Sequence, residues 1–445
     1  MLPNWYFDVF NRYAKTLQSK NALYLALSAG VDSNTLLHWL YTFKDQLPPI
    51  YTIHVNHNWH DQYSHLWANF ARKRAEYYGF EHYHYEVYFE EHDPRGLEAA
   101  GREARYLKFG ETMQENSLLC VGHHRSDQAE TLMQRLLRSA GVRGLGAMRD
   151  FNSVNFGPHK IDLFRPFLSI SKQSLYETAT HLNLPWMEDY TNHEADDMER
   201  NIIRNNLFKE MGQVFPNYEA AFYQVTQFMQ EADDLLVEVA AEDLKKISIK
   251  HQEAIVNDYR SLINLPALKQ LSALRQKNAI QAWIRPYNLI FTQKQMREFF
   301  RVFIAQVPTH QTCFKLDDFG IFYFQDTLYL RPLIPTNSEP SFRFITQKSA
   351  PAKSAWDQYE LMLVPRKGGE RFHPLGRDKR QTLKKLLQAA NLPQWQRDDC
   401  WLLQDKNSGE ILWVNHLGFS KILAPFIQDE GFAPEIISPA LSTHI

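Results

Sequence analysis

Residues 24–33, Tyr-Leu-Ala-Leu-Ser-Ala-Gly-Val-Asp-Ser, leave this chain few folds to choose from. Tyr24 to Leu27 is a short apolar run of the kind that makes a buried strand, and from Thr35 to Leu40 apolar residues recur at helical spacing. Between them, Ser28, Ala29 and Gly30 carry too little side chain to block a close approach, so their backbone N–H groups can surround an anion. Asp32 and Ser33 are of the types that cap a following helix. A strand, a small-residue turn and a helix N-terminus aim orphan N–H groups and the positive end of the helix dipole at one point, which suits phosphate. The same residues also spell an ordinary capped βα turn, and spacing alone allows both. No Gly-Lys-Ser/Thr follows the glycine, which excludes a Walker A loop.

The first half repeats this strand-and-helix rhythm. Ile50 to Val55, Tyr83 to Tyr88 and Leu118 to Gly122 read as strands; Gln62 to Tyr78, Leu97 to Glu115 and Gln128 to Arg138 read as helices. Such alternation predicts an α/β fold with a doubly wound parallel sheet, in which ligands sit beyond the carboxyl ends of the strands. Both Ser28–Ser33 and the turn at His123 and His124 fall at such ends. His54 closes the second strand, where strand-edge backbone could read an adenine base or merely enter a polar loop. Arg102 and Arg105 are neighbours on one helix face, suited to phosphate or to water. Asp127 and Glu130, spaced i, i+3, form a carboxylate pair able to bind Mg²⁺ or an ammonium group, unless Asp127 is only a charge at a helix start.

Several stretches carry a family resemblance. Ser28-Ala-Gly-Val-Asp-Ser33 resembles the Ser-Gly-Gly-x-Asp-Ser loop of the PP-loop (N-type) ATP pyrophosphatases, with Ala29 in place of a glycine, where ordinary backbone dihedrals are expected. Gly122-His-His-Arg-Ser-Asp-Gln-Ala-Glu-Thr131, continued by Arg135-Leu-Leu-Arg138 and Gly141-Val-Arg-Gly-Leu145, resembles a segment of the tRNA(Ile)-lysidine synthetases, with Ser126 where that family has an aspartate. Pro185-Trp-Met-Glu-Asp-Tyr-Thr-Asn192 and Arg200-Asn-Ile-Ile-Arg204 resemble the end of that family's catalytic domain. After His57, however, the family has Gly-Leu-Arg and this chain Asn58-Trp59-His60.

Beyond Phe215 the rhythm stops. Phe222, Val225, Met229, Ala232, Leu236 and Val239 trace a helical stripe; Leu268 to Ile284 and Gln293 to Val302 read as helices, and Cys313 to Leu330 as short strands turning at Asp317–Gly320 and Gln325-Asp326. The proline-rich stretch Pro332–Pro340 reads as a linker. Arg366, Lys367, Arg371, Arg377, Lys379, Arg380, Lys384 and Lys385 then concentrate positive charge in a chain of formal net charge −2, so a nucleic acid would be met by a local patch. This region resembles the C-terminal domain of the bacterial lysidine synthetases through its Gly-Gly-Glu-Arg-Phe and Leu-Lys-Lys-Leu-Leu elements. The expected domains are residues 1–216 (catalytic), 217–335 (mainly helical, tRNA-contacting) and 336–445 (α+β, tRNA-binding).

The resemblance implies an ATP-dependent ligase of the cytoplasm. ATP would adenylate the wobble cytidine of tRNA(Ile) with a CAU anticodon, and free L-lysine would displace AMP. It implies that Ser28, Ala29, Gly30, Val31, Asp32, Ser33, His54, Arg105 and His123 hold ATP and that Asp32 and Asp127 hold Mg²⁺. Asp127 and Glu130 would orient the lysine ammonium and help deprotonate it, and Arg204 would clamp phosphate. A homodimer is compatible with the sequence. Neither a membrane-length apolar run nor a signal peptide is present. Cys120, Cys313 and Cys400 are the three cysteines and form no C-x-x-C motif, which speaks against the rival reading of a tRNA thiolase. A tRNA-binding homologue without catalysis is the other alternative.

Overall fold

The computed structural model describes residues 2–56, 61–88, 97–187, 199–249, 261–333 and 341–437. The chain divides into two compact units, Met1–Leu235 and Leu236–Ile445.

The first unit is a six-stranded sheet. Its elements run α1 (Asn4–Gln18), β1 (Ala22–Ala26), α2 (Val31–Thr42), β2 (Ile50–Asn56), α3 (Asp61–Tyr78), β3 (Glu81–Glu86), α4 (Leu97–Thr112), β4 (Ser117–Cys120), α5 (Arg125–Leu137), α6 (Val142–Leu145), β5 (Phe151–Phe156), β6 (His159–Phe164) and α7 (Lys172–His181). Spatial order is β3-β2-β1-β4-β6-β5, parallel throughout except for β5, which pairs antiparallel with β6 at the edge. Strand residues are apolar on both sides because both faces are covered. Leu23, Leu25, Leu118 and Cys120 pack with α1 and α2 through Tyr6, Phe10, Leu36 and Trp39, while Ala22, Tyr24, Leu119 and Val121 pack with Tyr106 and Phe109 of α4. The strand order reverses between β1 and β4, so a crevice opens beyond their carboxyl ends.

The second unit holds a four-stranded antiparallel sheet in the order Ser261–Asn264, Thr327–Pro332, Phe319–Phe324, Cys313–Leu316, packed on helices Ala273–Ile284 and Gln293–Phe299. The strand Ser261–Asn264 has no counterpart in the sequence reading. The turn at Gln325 and Asp326 has positive φ at both residues, 44° and 57°, as a two-residue hairpin of the I′ kind requires. Further on, the long pair Ser341–Pro351 and Ile427–Ile437 and a second four-stranded sheet make a β-rich region, in which Phe372, Leu383, Leu386 and Leu387 share a core. Of the expected linker, residues 334–340 lie outside the described residues, as do His57 to His60 and 188–192. Among the described residues no helix is long and apolar enough to cross a membrane.

Candidate functional site

The turn after β1 is built from its own side chains. Asn34 Nδ2 donates to the carbonyls of Ala29 (3.1 Å) and Gly30 (2.9 Å), and Ser33 Oγ lies 2.9 Å from both the Ser28 carbonyl and Ser28 Oγ. Holding these carbonyls on the helix side leaves the first-turn N–H groups of Val31, Asp32 and Ser33, which have no intrahelical acceptor, at the crevice. Gly30 is extended (φ −71°, ψ 162°) and Ala29 stays outside the left-handed region, so the alanine fits without strain. The Val31 side chain is buried against Ala179 and Leu184, and Met187 N–H donates to the Ala29 carbonyl (3.0 Å); α7 and the segment after it therefore brace the turn.

Gly122 is where a side chain would crowd the turn. A Cβ there would lie 3.1 Å from the backbone carbon and oxygen of Asp32, because the end of β4 runs directly against the first turn of α2. Gly122→Ala should cost about 1–3 kcal/mol through overpacking and shift Asp32. Thermal melting and KM for ATP check this, and a variant normal in both would show that the contact gives way.

Across this gap stands the start of α5. His124 Nε2 lies 3.7 Å from Asp32 Oδ2, its Nδ1 lies 3.5 Å from Asp127 Oδ2, and its backbone N–H donates to Asp127 Oδ2 (3.0 Å). Burial raises the Asp32 carboxyl above the usual carboxylate range and Asp127 adds to this, while His124, Lys172 and Arg204 offset part of the rise. Burial would raise Asp127 as well, but His124, His123 and Arg200 outweigh it and hold its carboxyl down at about 2. Two carboxylates on one crevice are thus pushed apart, a pattern found at working sites.

Glu130 corrects the sequence reading. It is 1% exposed, and both its oxygens are taken: Arg204 donates through Nε to Oε1 (2.6 Å) and through Nη2 to Oε2 (3.1 Å), and Arg200 Nε also donates to Oε2. Arg200 Nη2 reaches on to Asp127 Oδ1 (2.6 Å). The pair Asp127 and Glu130 is therefore no open carboxylate face for an ammonium; Glu130 is the anchor of two guanidiniums. Arg204 stands in a wider π-type turn, Ile203–Leu207.

The other expected residues fall as follows. His54 is buried, with its Nδ1–H donating to the Leu27 carbonyl (2.8 Å) and its ring stacked on His84; burial lowers it to about 4, so its side chain is a neutral tie that fixes the strand end. His123 is half-buried and receives Arg165 Nε–H at Nδ1 (3.2 Å). On α4 it is Arg102, stacked over Tyr106, whose charge is felt at His123 and at Arg165; Arg105 is half-buried on the same helix. Ser126 donates to Glu219 Oε1 (2.7 Å), where an aspartate would face a like charge. Gln128 and Met148 exchange hydrogen bonds, and Arg135 Nη1 donates to the Gly144 and Ala147 carbonyls; these motif residues hold the 141–148 turn rather than a ligand. Asn34, which holds the turn, Arg165, which meets His123, and Lys172, whose charge is felt at Asp32, were not singled out in the sequence.

A parallel sheet with a phosphate-type turn at its switch point, faced by a carboxylate and arginine cluster, defines a nucleotide-binding domain of the PP-loop class. A PP-loop domain model matches residues 7–211, a TilS substrate binding domain model residues 263–329, and a TilS substrate C-terminal domain model residues 361–430. The chain is 29% identical over 407 residues to a tRNA(Ile)-lysidine synthase of Coxiella burnetii, covering 87% of each chain. To one from Idiomarina loihiensis it is 27% identical over 435 residues, covering 94% of this chain and 93% of that one. A solved U34-tRNA thiolase from Methanococcus maripaludis is 17% identical over 51% of this chain and 78% of its own, with a TM-score of 0.40, too distant a likeness to argue from. The chain belongs to the tRNA(Ile)-lysidine synthase family.

Proposed function

We propose that this chain converts the wobble cytidine of tRNA(Ile) with a CAU anticodon to lysidine, changing its decoding from AUG to AUA. The cytidine C2 oxygen attacks the α-phosphorus of ATP and pyrophosphate leaves; the ε-amine of free L-lysine then attacks C2, and AMP departs with that oxygen. What carries this reading is the meeting of the Ser28–Ser33 turn with Asp32, His124 and Asp127 across the β1/β4 crevice, in a chain that matches the family along nearly its whole length.

The chain's residues divide the work. N–H groups of Val31, Asp32 and Ser33 bind the phosphates, and Ser28, Ala29 and Gly30 let them approach. Among the described residues no group of three or more His, Cys, Asp or Glu is placed to hold a metal unaided, but Mg²⁺ on a nucleotide takes only one or two carboxylates. Asp32 fits: its Oδ1 is buried without a hydrogen-bond partner. Asp127, committed to His124 N–H and Arg200, fits less well than expected. Bound there, Mg²⁺ would offset charge on the departing pyrophosphate. Arg200 and Arg204, held by Glu130, stand near enough to answer phosphate charge, and Asp127 is the carboxylate on which an ammonium would compete with Arg200. The thiolase alternative meets a Cys120 thiol buried in β4 and pushed up to about 12, an inert environment.

For tRNA, the observation is the outward placement of charge in the C-terminal region. Glu370 Oε1 accepts from Lys367 and Gly368 N–H, closing a turn whose Gly368 and Gly369 have φ of 98° and 88°. Leu383, Leu386 and Leu387 point into the core while Lys384 and Lys385 stay exposed on the same helix, and Lys367, Arg371, Arg377 and Lys379 are exposed nearby in sequence. Charge reversal of Lys384 and Lys385 together should weaken tRNA binding about tenfold and reduce the salt slope by up to about 2. Filter binding across a salt series checks this, and an unchanged slope would place the phosphate contacts elsewhere. The two-step reading is tested by radiolabelled ATP: pyrophosphate release should require tRNA(Ile) with a CAU anticodon, and turnover to AMP should require lysine as well. Release that ignores tRNA would refute it.

A further inference from the structure

Arg165 follows β6 and is 4% exposed, with its guanidinium fastened on two sides: Nη1 donates to the Arg149 carbonyl (3.1 Å) and to Asn152 Oδ1, and Nε donates to His123 Nδ1 (3.2 Å). A guanidinium has N–H groups and no acceptor, so His123 can only accept at Nδ1. Burial brings Arg165 down to about 10, which leaves it cationic at neutral pH. Burial also depresses His123, Asp127 opposes this, and the cations Arg165, Arg200 and Arg102 deepen it to about 3; the ring is neutral. A neutral imidazole carries one ring proton, and with Nδ1 accepting, that proton sits on Nε2. His123, half-buried as a residue, stands just past β4 at the crevice, among Asp127 of α5, Arg102 of α4 and Arg200.

We propose that Arg165 is a positioning residue that locks His123 in the Nε2–H tautomer, so that His123 presents one fixed, neutral donor to an oxygen of the reacting group. The oxygen's identity rests on the reading above: it belongs to the α-phosphate of ATP or to the cytidine carbonyl. The arrangement also removes His123 as a base toward the lysine ammonium, because its one basic nitrogen is occupied by a cation.

The test uses the full chain labelled with nitrogen-15 histidine, the His123 ring signals being identified by their loss in His123→Gln. Wild type should show a single tautomer at neutral pH, protonated on Nε2 only. Arg165→Met should lose that single tautomer and slow tRNA-dependent pyrophosphate release about a hundredfold, the scale of one misplaced donor to a developing charge. Arg165→Lys, which keeps a cationic donor, should keep the tautomer and lose less than about tenfold. A His123→Gln defect in ATP binding would assign the oxygen to the phosphate, and a defect confined to the tRNA-dependent step would assign it to the base; either supports the proposal. An Nδ1–H tautomer or an imidazolium in wild type would overturn it. So would an Arg165→Lys variant with the tautomer intact and activity as low as Arg165→Met. Should Arg165→Met fail to fold, the wild-type and Arg165→Lys spectra still decide. The tautomer is read without substrate, so failure of the lysidine reading, seen as wild-type release that ignores tRNA, stays separate from failure of this proposal.

Discussion

Asp32→Asn is expected to lower tRNA-dependent pyrophosphate release by about 10²- to 10³-fold while leaving the melting temperature unchanged or slightly higher. The Asp32 side chain is 33% exposed, but its Oδ1 is buried without a hydrogen-bond partner and desolvation shifts its protonation equilibrium upward, so its charge weakens the fold that carries it. A group of that kind is kept for what it binds. Asparagine preserves the shape and removes the charge that would hold Mg²⁺ beside the phosphates. Stopped-time assays of pyrophosphate with parallel calorimetry separate the two effects. An Asp32→Asn protein that releases pyrophosphate at the wild-type rate would reduce Asp32 to a helix-start residue and displace the nucleotide site.

The second large effect falls at Glu130. Read from sequence, Glu130→Gln should spare adenylation and stop only lysine transfer. Its position beneath Arg200 and Arg204 changes the expectation: a glutamine can satisfy neither guanidinium's charge, so both arginines lose their anchor and both half-reactions should fall about a hundredfold together. Breaking a buried ion pair costs about 3–5 kcal/mol, and because the two arginine side chains are themselves 34% and 32% exposed, about 2–3 kcal/mol is expected here. Measuring adenylation with tRNA and no lysine, then transfer in a chase, tests the point. Adenylation that survives while transfer fails would restore Glu130 to the lysine site.

What the sequence made legible follows the range of the interactions involved. The strands and helices of the first half were readable because apolar periodicity is local, and the switch-point crevice followed from their alternation. Two omissions were local too: α1, whose Tyr6, Val9, Phe10, Tyr13 and Leu17 repeat at helical spacing, and the β5–β6 hairpin turning at Gly157 with φ of 55°. Other features could not be read from spacing. Glu130 and Arg204 lie 74 positions apart, His123 and Arg165 lie 42 apart, and only the packing of α5 on the 199–214 helical run and of β4 beside β6 brings them together. Spacing showed that Asp127 and Glu130 share a helix face; it could not show that the face was already filled with arginine. At His54 the side chain is tied to the Leu27 carbonyl, a long-range partner that a histidine at a strand end does not reveal in sequence.

Attachment of lysine to a cytidine is the reaction assigned to this chain. Its most direct test is mass analysis of the anticodon fragment from tRNA(Ile) with a CAU anticodon after incubation with the protein, ATP, Mg²⁺ and L-lysine. The expected product is one wobble nucleotide carrying a single lysine, absent when ATP or lysine is omitted; an unmodified wobble cytidine, in a reaction where the same protein consumes ATP to AMP and pyrophosphate, would contradict the account.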